Sequence, residues 1–186
     1  MSNFRNKILE SHNISFTRLD ESHFSLLLKW LETPHVKKWW DEDIKYTREL
    51  IYDKYISYTQ GYKISESLIK PVYPFIINIG STPIGYIQFY NFYDFLREYE
   101  VNLSNLPNSL AAFDLFIGDH QFIHRGLGGK IIELFIKNYI FKKFENCFVD
   151  PVSSNIAAIK AYKKAGFTEV TSQESNMLWL IKRNNS

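Results

Sequence analysis

Cysteine is almost missing from this sequence of 186 residues, which contains Cys147 alone. A single cysteine excludes an intramolecular disulfide and a thiolate metal cluster. The five histidines show no two-ligand helical spacing, so we expect no metal site. Apolar runs of membrane-spanning length are missing too, and residues 1–13 lack the apolar core of a signal peptide. We therefore expect a cytoplasmic protein with no membrane partner.

An excess of charge of either sign is also missing. The 22 Lys and Arg against 20 Asp and Glu give a net charge of +2, which offers no reason to expect a nucleic acid partner. The length and the hydrophobic fraction of 45% predict one domain over residues 1–186, with its core at about 14–183 and a flexible 1–13. Aromatic residues, at 17%, are plentiful and indicate either an aromatic core or an aromatic-lined cleft.

The periodicity of apolar residues predicts helices mixed with strands. Asp20 or Ser22 can cap the first helix, Pro34 ends it, and Gly80 lies in a hairpin turn. The predicted strands are 14–19, 72–79, 83–90, 110–118, 146–150, 167–170 and 177–182. The first predicted helix runs through Phe24 to Leu31, and the others cover 50–56, 130–143 and 154–165. Residues 61–71 are predicted to form a loop. This order predicts a mixed sheet in an α/β or α+β fold.

A glycine-rich turn separates the strand at 110–118 from the following helix. Its residues are His124, Arg125, Gly126, Leu127, Gly128, Gly129 and Lys130. Glycines let backbone approach a ligand, and the N–H groups at a helix start favour phosphate oxygens. The spacing fits neither a Walker loop nor a dinucleotide fingerprint. The turn is therefore either a phosphate cradle, to which Arg125 and Lys130 add charge, or a glycine turn without a ligand.

A second segment, from Asn155 to Phe167, has the features of a capped helix. Ser153, Ser154 or Asn155 can cap its start, Ala157 and Ala161 give it a slim face, and Gly166 can end it in the left-handed conformation. Tyr162 lies near its last turn. Alone this segment is an ordinary join between helix and strand.

Together the two segments resemble the motifs of the GCN5-related N-acetyltransferase superfamily. The resemblance implies a mainly antiparallel sheet of about seven strands with a V-shaped splay between the parallel strands 110–118 and 146–150. It implies acetyl-CoA as cofactor, with its diphosphate on residues 124–130, its pantetheine along Leu115, Phe116 and Ile117, and further contacts from Asn155 and Ala157. The amine attacks the thioester directly in this family, so Cys147 need not be a nucleophile. Ile123 stands where many members have Gln or Arg.

Two carboxylates lie on the two strands that should diverge, Asp114 within the first and Asp150 at the end of the second. Asp114 interrupts an apolar strand, where a carboxylate is costly without a partner or a function. It either pairs with a buried Lys or Arg, sits at a bulge, or serves the reaction. Asp150, before Pro151, is either a turn residue or a second acidic group for a cationic substrate.

More of the chain resembles the aminoglycoside 6′-N-acetyltransferases: Trp39-Trp40, Pro83 to Gln88, Phe113-Asp114 and Asp150-Pro151. The resemblance implies that Asp114 is the base or orients the amine, that Asp150 contacts the drug, and that Tyr162 protonates the departing thiolate. Trp39 and Trp40 either wall the substrate pocket or anchor their loop. Further acidic residues fall where this group has a substrate flap of different sequence; they are Asp94, Glu98 and Glu100.

Other functions stay open at this stage. The same chemistry could act on a hydroxylamine of a siderophore precursor, a polyamine or a protein N-terminus, and an acyl-CoA-binding module without catalysis is a further alternative. The sequence favours an aminoglycoside or another small cationic amine as partner, in a monomer or a homodimer.

Overall fold

The computed structural model describes residues 13–95, 106–170 and 176–184. Its strands are β1 (Ile14–Arg18), β2 (Tyr62–Ser65), β3 (Leu68–Pro71), β4 (Tyr73–Ile79), β5 (Thr82–Asn91), β6 (Leu110–Ile117), β7 (Asn146–Val149), β8 (Thr168–Glu169) and β9 (Leu180–Arg183). Its α-helices are α1 (Phe24–Leu31), α2 (Pro34–Lys37), α3 (Arg48–Thr59), α4 (Gly128–Phe135) and α5 (Ile156–Lys164). A π-helical segment, Ile136–Ile140, continues α4.

Seven of the described strands form one mixed sheet in the order β1-β4-β5-β6-β7-β9-β8. β1 runs antiparallel to β4, and β9 runs antiparallel to both β7 and β8. β6 and β7 are parallel. The predicted mixed α/β fold with one parallel pair is confirmed.

The parallel pairing of β6 with β7 is short. It joins Leu110 to Asn146, Ala111 to Cys147 and Ala112 to Phe148, while β6 itself continues to Ile117. Asp114 therefore lies on β6 beyond the paired residues. Asp150 follows directly after β7.

The described residues form two compact units, and β5 and β6 each run through both. The first comprises residues up to Gln88 together with Leu115–Leu127. In its core α1 packs against α3, and Leu27, Leu31 and Ile51 are fully buried. Five successive residues of β4, 74–78, are buried, so both faces of this strand are covered.

The second unit comprises Phe89–Asp114 and the residues from Gly128 onward. Its core contains an apolar cluster from β6, β7, β9 and the turn after β5. The members are Phe92, Leu110, Ala112, Phe148, Trp179 and Ile181. The helices α4 and α5 of this unit pack against each other, which positions the site described below.

The predicted loop at 61–71 is wrong, because this segment forms the antiparallel strands β2 and β3. The hairpin turn is made by Glu66 and Ser67, both in the left-handed region with φ of 51° and 62°. Two-residue hairpin turns of type I′ need positive φ at both positions and usually use Asn or Gly there. Glu66 and Ser67 therefore give no sequence signal for this turn.

Proline at position 34 has a second role beyond ending α1. It occupies the first turn of the short helix α2, where its missing N–H costs nothing. The predicted cap of the first helix is confirmed in part, because Asp20 accepts a hydrogen bond of 2.9 Å from the Ser22 N–H at the start of the 3₁₀ turn Glu21–His23 that leads into α1.

Gly118, at the end of β6, has no room for a side chain. A Cβ there would lie 2.1 Å from Cγ of Trp30, a fully buried residue that cannot move aside. We predict that Gly118→Ala lowers the free energy of unfolding by about 1–3 kcal/mol through overpacking, measured by denaturant titration.

Gly129→Ala is the matched control for this prediction. Its Cβ would meet only the flexible Lys164 side chain, at 3.2 Å, and Ala is the better helix former. Its effect should stay within about 1 kcal/mol. Equal stabilities of the Gly118→Ala variant and the natural protein would contradict the tight fit at Trp30.

Candidate active site

The glycine turn has the backbone shape of an anion site. After β6, Asp119 accepts a hydrogen bond of 2.9 Å from the Gln121 N–H and so begins a single 3₁₀ turn. His124 and Gly126 then take φ of 59° and 74°, and α4 begins at Gly128. A backbone that enters the left-handed region before a helix start can direct successive N–H groups toward one anion. The phosphate cradle stays a prediction, and the turn has positive φ at His124 and Gly126 just before the helix.

Gly128 and Gly129 also lie where α5 packs against the start of α4. A Cβ on Gly128 would lie 3.2 Å from Cβ of Ala161, and a Cβ on Gly129 would lie 3.2 Å from Cδ of Lys164. Both neighbours belong to α5. These two glycines therefore let α5 approach the first turn of α4, a role that the sequence analysis did not assign to them.

The charged residues of the turn already have neighbours. The Arg125 guanidinium lies 5.3 Å from the centre of the Phe122 ring. The Lys130 ammonium lies 3.3 Å from a Glu133 carboxylate oxygen in an exposed pair, which contributes little to stability. His124 is exposed, whereas Leu127 is buried and anchors the turn.

Helix α5 begins and ends as the sequence predicts. Asn155 is its N-cap and accepts a hydrogen bond of 3.2 Å from the Ala158 N–H. Gly166 follows its end with φ of 88°. The side-chain oxygen of Asn155 thus caps the helix. Ala157 is exposed on the first turn.

Tyr162 is buried on α5 and packs edge to face against Phe113 of β6 and against Phe167, with ring centres 5.8 Å and 5.7 Å apart. Burial raises the pKa of its hydroxyl well above the ordinary value, and the charges of Asp114 and Asp150 raise it further. The structure therefore brings three predicted site residues into electrostatic contact within one unit. The hydroxyl stays protonated at physiological pH and can donate a hydrogen bond.

Asp114 and Asp150 lie toward the same end of the sheet, because β6 and β7 are parallel and each residue follows the paired part of its strand. Both Asp114 and Asp150 are partly exposed. Cys147, by contrast, is fully buried, and burial raises the pKa of its thiol well above its usual range. A buried neutral thiol is a poor nucleophile, which agrees with direct attack by the amine.

The two tryptophans have different surroundings in the first unit. The Trp40 ring packs edge to face on Phe116 and Tyr86, with centres 5.0 Å and 6.1 Å apart. Trp39 is 41% exposed, and the Lys38 ammonium lies 4.8 Å from its ring centre. Trp40 therefore anchors its loop, and Trp39 is the one of the pair with an open face.

The loop after the tryptophans is held at Asp41, which adopts φ of 51°. Its carboxylate lies 2.6 Å from the Lys54 ammonium and accepts a hydrogen bond from the Tyr46 hydroxyl. Burial opposes ionisation here, yet these hydrogen bonds keep the pKa of Asp41 below its ordinary value. The charge of Asp41 is thus paired with that of Lys54 and is not available to a substrate.

The base of the same loop is fixed by Glu32. Its carboxylate accepts hydrogen bonds from the Lys45 ammonium at 2.6 Å and the Tyr46 N–H at 2.8 Å. The Lys45 hydrogen bond, followed by that from Tyr46, lowers the pKa of Glu32 to about 2. The sequence predicted neither the ion pair of Asp41 with Lys54 nor the hydrogen bonds that Glu32 accepts.

The second half of β6 carries the residues predicted to pair with pantetheine. Phe116 is buried in the aromatic cluster, while Leu115 and Ile117 are partly exposed. The Ile117 carbonyl lies 3.0 Å from Nε2 of His35. Nothing in the sequence signals this contact across 82 residues.

The predicted acidic flap is described only in part. Asp94 ends a 3₁₀ turn, and its carboxylate lies 3.4 Å from the Asn91 side-chain nitrogen. Glu98 and Glu100 lie outside the described residues. Within 13–95, 106–170 and 176–184, no three His, Cys, Asp or Glu side chains are grouped as a metal site would require. No helix in these ranges has the length and apolar character to span a membrane.

Known proteins resemble this chain over most of its length. The aminoglycoside N(6′)-acetyltransferase type 1 of Klebsiella pneumoniae is 25% identical over 178 residues, covering 91% of this chain and 83% of the relative. The structure of AAC(6′)-Ib in complex with ribostamycin and coenzyme A has a TM-score of 0.73 at 21% identity, with coverage of 92% and 93%.

A further structure of the same enzyme, in complex with coenzyme A and kanamycin, has a TM-score of 0.72 at 21% identity, with coverage of 91% and 94%. At this identity the likeness of the solved structures concerns the fold. The model of the acetyltransferase (GNAT) domain matches residues 20–174, and the chain therefore belongs to the GNAT acetyltransferase family.

Proposed function

We propose that this acetyltransferase moves the acetyl group of acetyl-CoA to the 6′-amine of an aminoglycoside. The observation that carries the proposal is the grouping of Asp114, Asp150 and the buried Tyr162 in one unit, where both carboxylates raise the pKa of the hydroxyl. Paired negative charge suits a substrate with several ammonium groups. The acetyltransferase of Klebsiella pneumoniae and the complexes with ribostamycin and kanamycin support the same substrate class.

The start of α4 fits the diphosphate of acetyl-CoA. Gly126 in the left-handed conformation and the unpaired N–H groups of the first helical turn offer donors without a side chain in the way. The pantetheine arm would pair with the backbone of β6, where Leu115 and Ile117 are partly exposed. Relatives of known structure hold acetyl-CoA or coenzyme A.

The reaction needs a neutral amine beside the thioester. Asp114 would orient the substrate ammonium and accept its proton, because a protonated amine has no lone pair for attack. The amine nitrogen then forms a bond to the acetyl carbon, the nitrogen loses a second proton to solvent, and the carbon–sulfur bond breaks to release the CoA thiolate. Asp150, partly exposed after β7, would bind a second ammonium group of the cationic substrate.

Tyr162 would hold the departing sulfur by a hydrogen bond. Its raised pKa makes full proton transfer to a thiolate unfavourable, since a thiol has a pKa near 8.5. A neutral phenol next to developing negative charge nevertheless donates a strong hydrogen bond. This assigns Tyr162 the role of donor and leaves the final proton of the thiol to solvent.

The proposed function is tested by thiol release from acetyl-CoA across kanamycin, tobramycin, spermidine, a hydroxylysine and a peptide amine. We expect turnover with the two aminoglycosides. An analogue with a 6′-hydroxyl in place of the 6′-amine should give none, which controls for the position of transfer. Preferred turnover of the hydroxylysine or the peptide would replace the proposed substrate, and no turnover with any amine would favour a binding module.

Replacing Asp114 tests the proton acceptor. Asp114→Asn should lower kcat about 100-fold or more, the usual contribution of a general base, with the Kd of acetyl-CoA changed less than about twofold. Steady-state kinetics and calorimetry measure the two quantities. Asp53→Asn, an exposed change on α3, is the control. Unchanged turnover of the Asp114 variant would remove this residue from the mechanism.

Replacing Tyr162 tests the donor and its pKa. Tyr162→Phe should lower kcat about 10–100-fold, as expected for the loss of one hydrogen bond to a charged group. Because the raised pKa keeps the hydroxyl protonated, the ratio of natural to variant kcat should stay constant between about pH 6 and 9. A ratio that declines toward one as the pH rises would show that Tyr162 ionises in this range.

A further inference from the structure

The peptide between Ile117 and Gly118, at the end of β6, is held from both sides. The Gly118 N–H donates a hydrogen bond of 2.8 Å to the Ile84 carbonyl of β5. The Ile117 carbonyl lies 3.0 Å from Nε2 of His35 and can only accept, so Nε2 carries the proton and donates it. The N–H and the C=O of a trans peptide point in opposite directions. The Ile117 carbonyl therefore faces the edge of β6 that lies away from β5.

That edge of β6 changes its surroundings halfway along the strand. Among the described residues, the pairing with β7 covers Leu110 to Ala112, whereas β6 continues to Ile117. Leu115 faces the same edge as Ile117, because the backbone groups of successive residues alternate between the two edges of a strand. Both residues are partly exposed. His35 therefore binds backbone on the edge where the pantetheine arm of acetyl-CoA would pair under the proposed function.

The short helix that carries His35 is itself restrained. His35 lies on α2, next to the buried Val36. The Lys37 ammonium on the same helix lies 3.1 Å from a Glu32 carboxylate oxygen and 2.6 Å from the Ile44 carbonyl. The imidazole thus extends from a fixed backbone, and its hydrogen bond to β6 costs less conformational entropy than one from a mobile loop.

Two apolar contacts lie on either side of this hydrogen bond. The Trp40 ring packs edge to face on Phe116 with ring centres 5.0 Å apart, and Trp30 leaves no space for a side chain at Gly118. The segment from Trp30 to Trp40 thus contacts three successive residues of β6. The two tryptophans supply packing, while His35 binds a backbone carbonyl and so sets the orientation of a peptide.

We propose that His35 is a positioning residue for the acetyl donor. By fixing the peptide between Ile117 and Gly118, it keeps the backbone of Leu115 and Ile117 aligned for the pantetheine arm. This role rests on the proposed use of acetyl-CoA. Its effect falls on the pantetheine arm and not on the nucleotide part of the donor.

The test compares His35→Ala with His35→Gln by calorimetry, using two ligands. One is CoA, and the other is adenosine 3′-phosphate 5′-diphosphate, which has the diphosphate but no pantetheine arm. We expect His35→Ala to raise the Kd of CoA about 3- to 10-fold, as for the loss of one hydrogen bond, and to leave the Kd of the nucleotide unchanged. The side-chain nitrogen of Gln can replace Nε2 as donor, so His35→Gln should bind CoA within about twofold of the natural protein.

Three results would overturn this role of His35 and leave the proposed function intact. The first is unchanged CoA affinity of His35→Ala. The second is an equal loss of affinity for CoA and the nucleotide, which would mean that His35 supports the fold in general. The third is an equal loss of CoA affinity in His35→Ala and His35→Gln. Natural protein that does not bind CoA would overturn the proposed function as well.

Discussion

The close packing of α5 on the first turn of α4 is the constraint on which the rest of the site depends. Gly128 permits this packing, since a Cβ there would lie 3.2 Å from Cβ of Ala161. The same packing places Ala161 of α5 against the start of α4. It also fixes the rotation of α5, so that Tyr162 packs on Phe113 of β6. One steric requirement thus joins the proposed anion site to Tyr162.

The acidic residues differ in their electrostatic surroundings and therefore in their roles. Burial, and after it the charges of Asp114 and Asp150, raise the pKa of the Tyr162 hydroxyl and keep it protonated. Asp41, which the sequence places in an acidic cluster, is neutralised by Lys54 and serves to hold a loop. Negative charge in the sequence is therefore a poor guide to substrate binding until the partners of each carboxylate are known.

Much of the fold and part of the site could be predicted from local signals. Asn155 as N-cap and Gly166 as left-handed terminator use rules that act within a few residues, and both are confirmed. The hairpin at Glu66-Ser67 was missed because its residues are unusual for that turn. Helix α4 begins at Gly128, two residues before the predicted Lys130, because packing against α5 outweighs the low helix propensity of glycine.

Contacts between distant residues could not be predicted. Four contacts depend on the tertiary arrangement. They are the Ile117 carbonyl with His35, Asp41 with Lys54, Glu32 with the Tyr46 N–H, and the Lys164 side chain beside Gly129. No periodicity or spacing in one sequence encodes such pairs. The glycines of the turn illustrate the limit, since their conformational role was expected and their packing role was not.

The most direct measurement is a crystal structure of the protein with coenzyme A and kanamycin. The account predicts that the diphosphate lies on the backbone N–H groups at the start of α4, with the sulfur and the 6′-amine beside Tyr162 and Asp114. A diphosphate bound elsewhere, or an Asp114 carboxylate turned away from the amine, would contradict it.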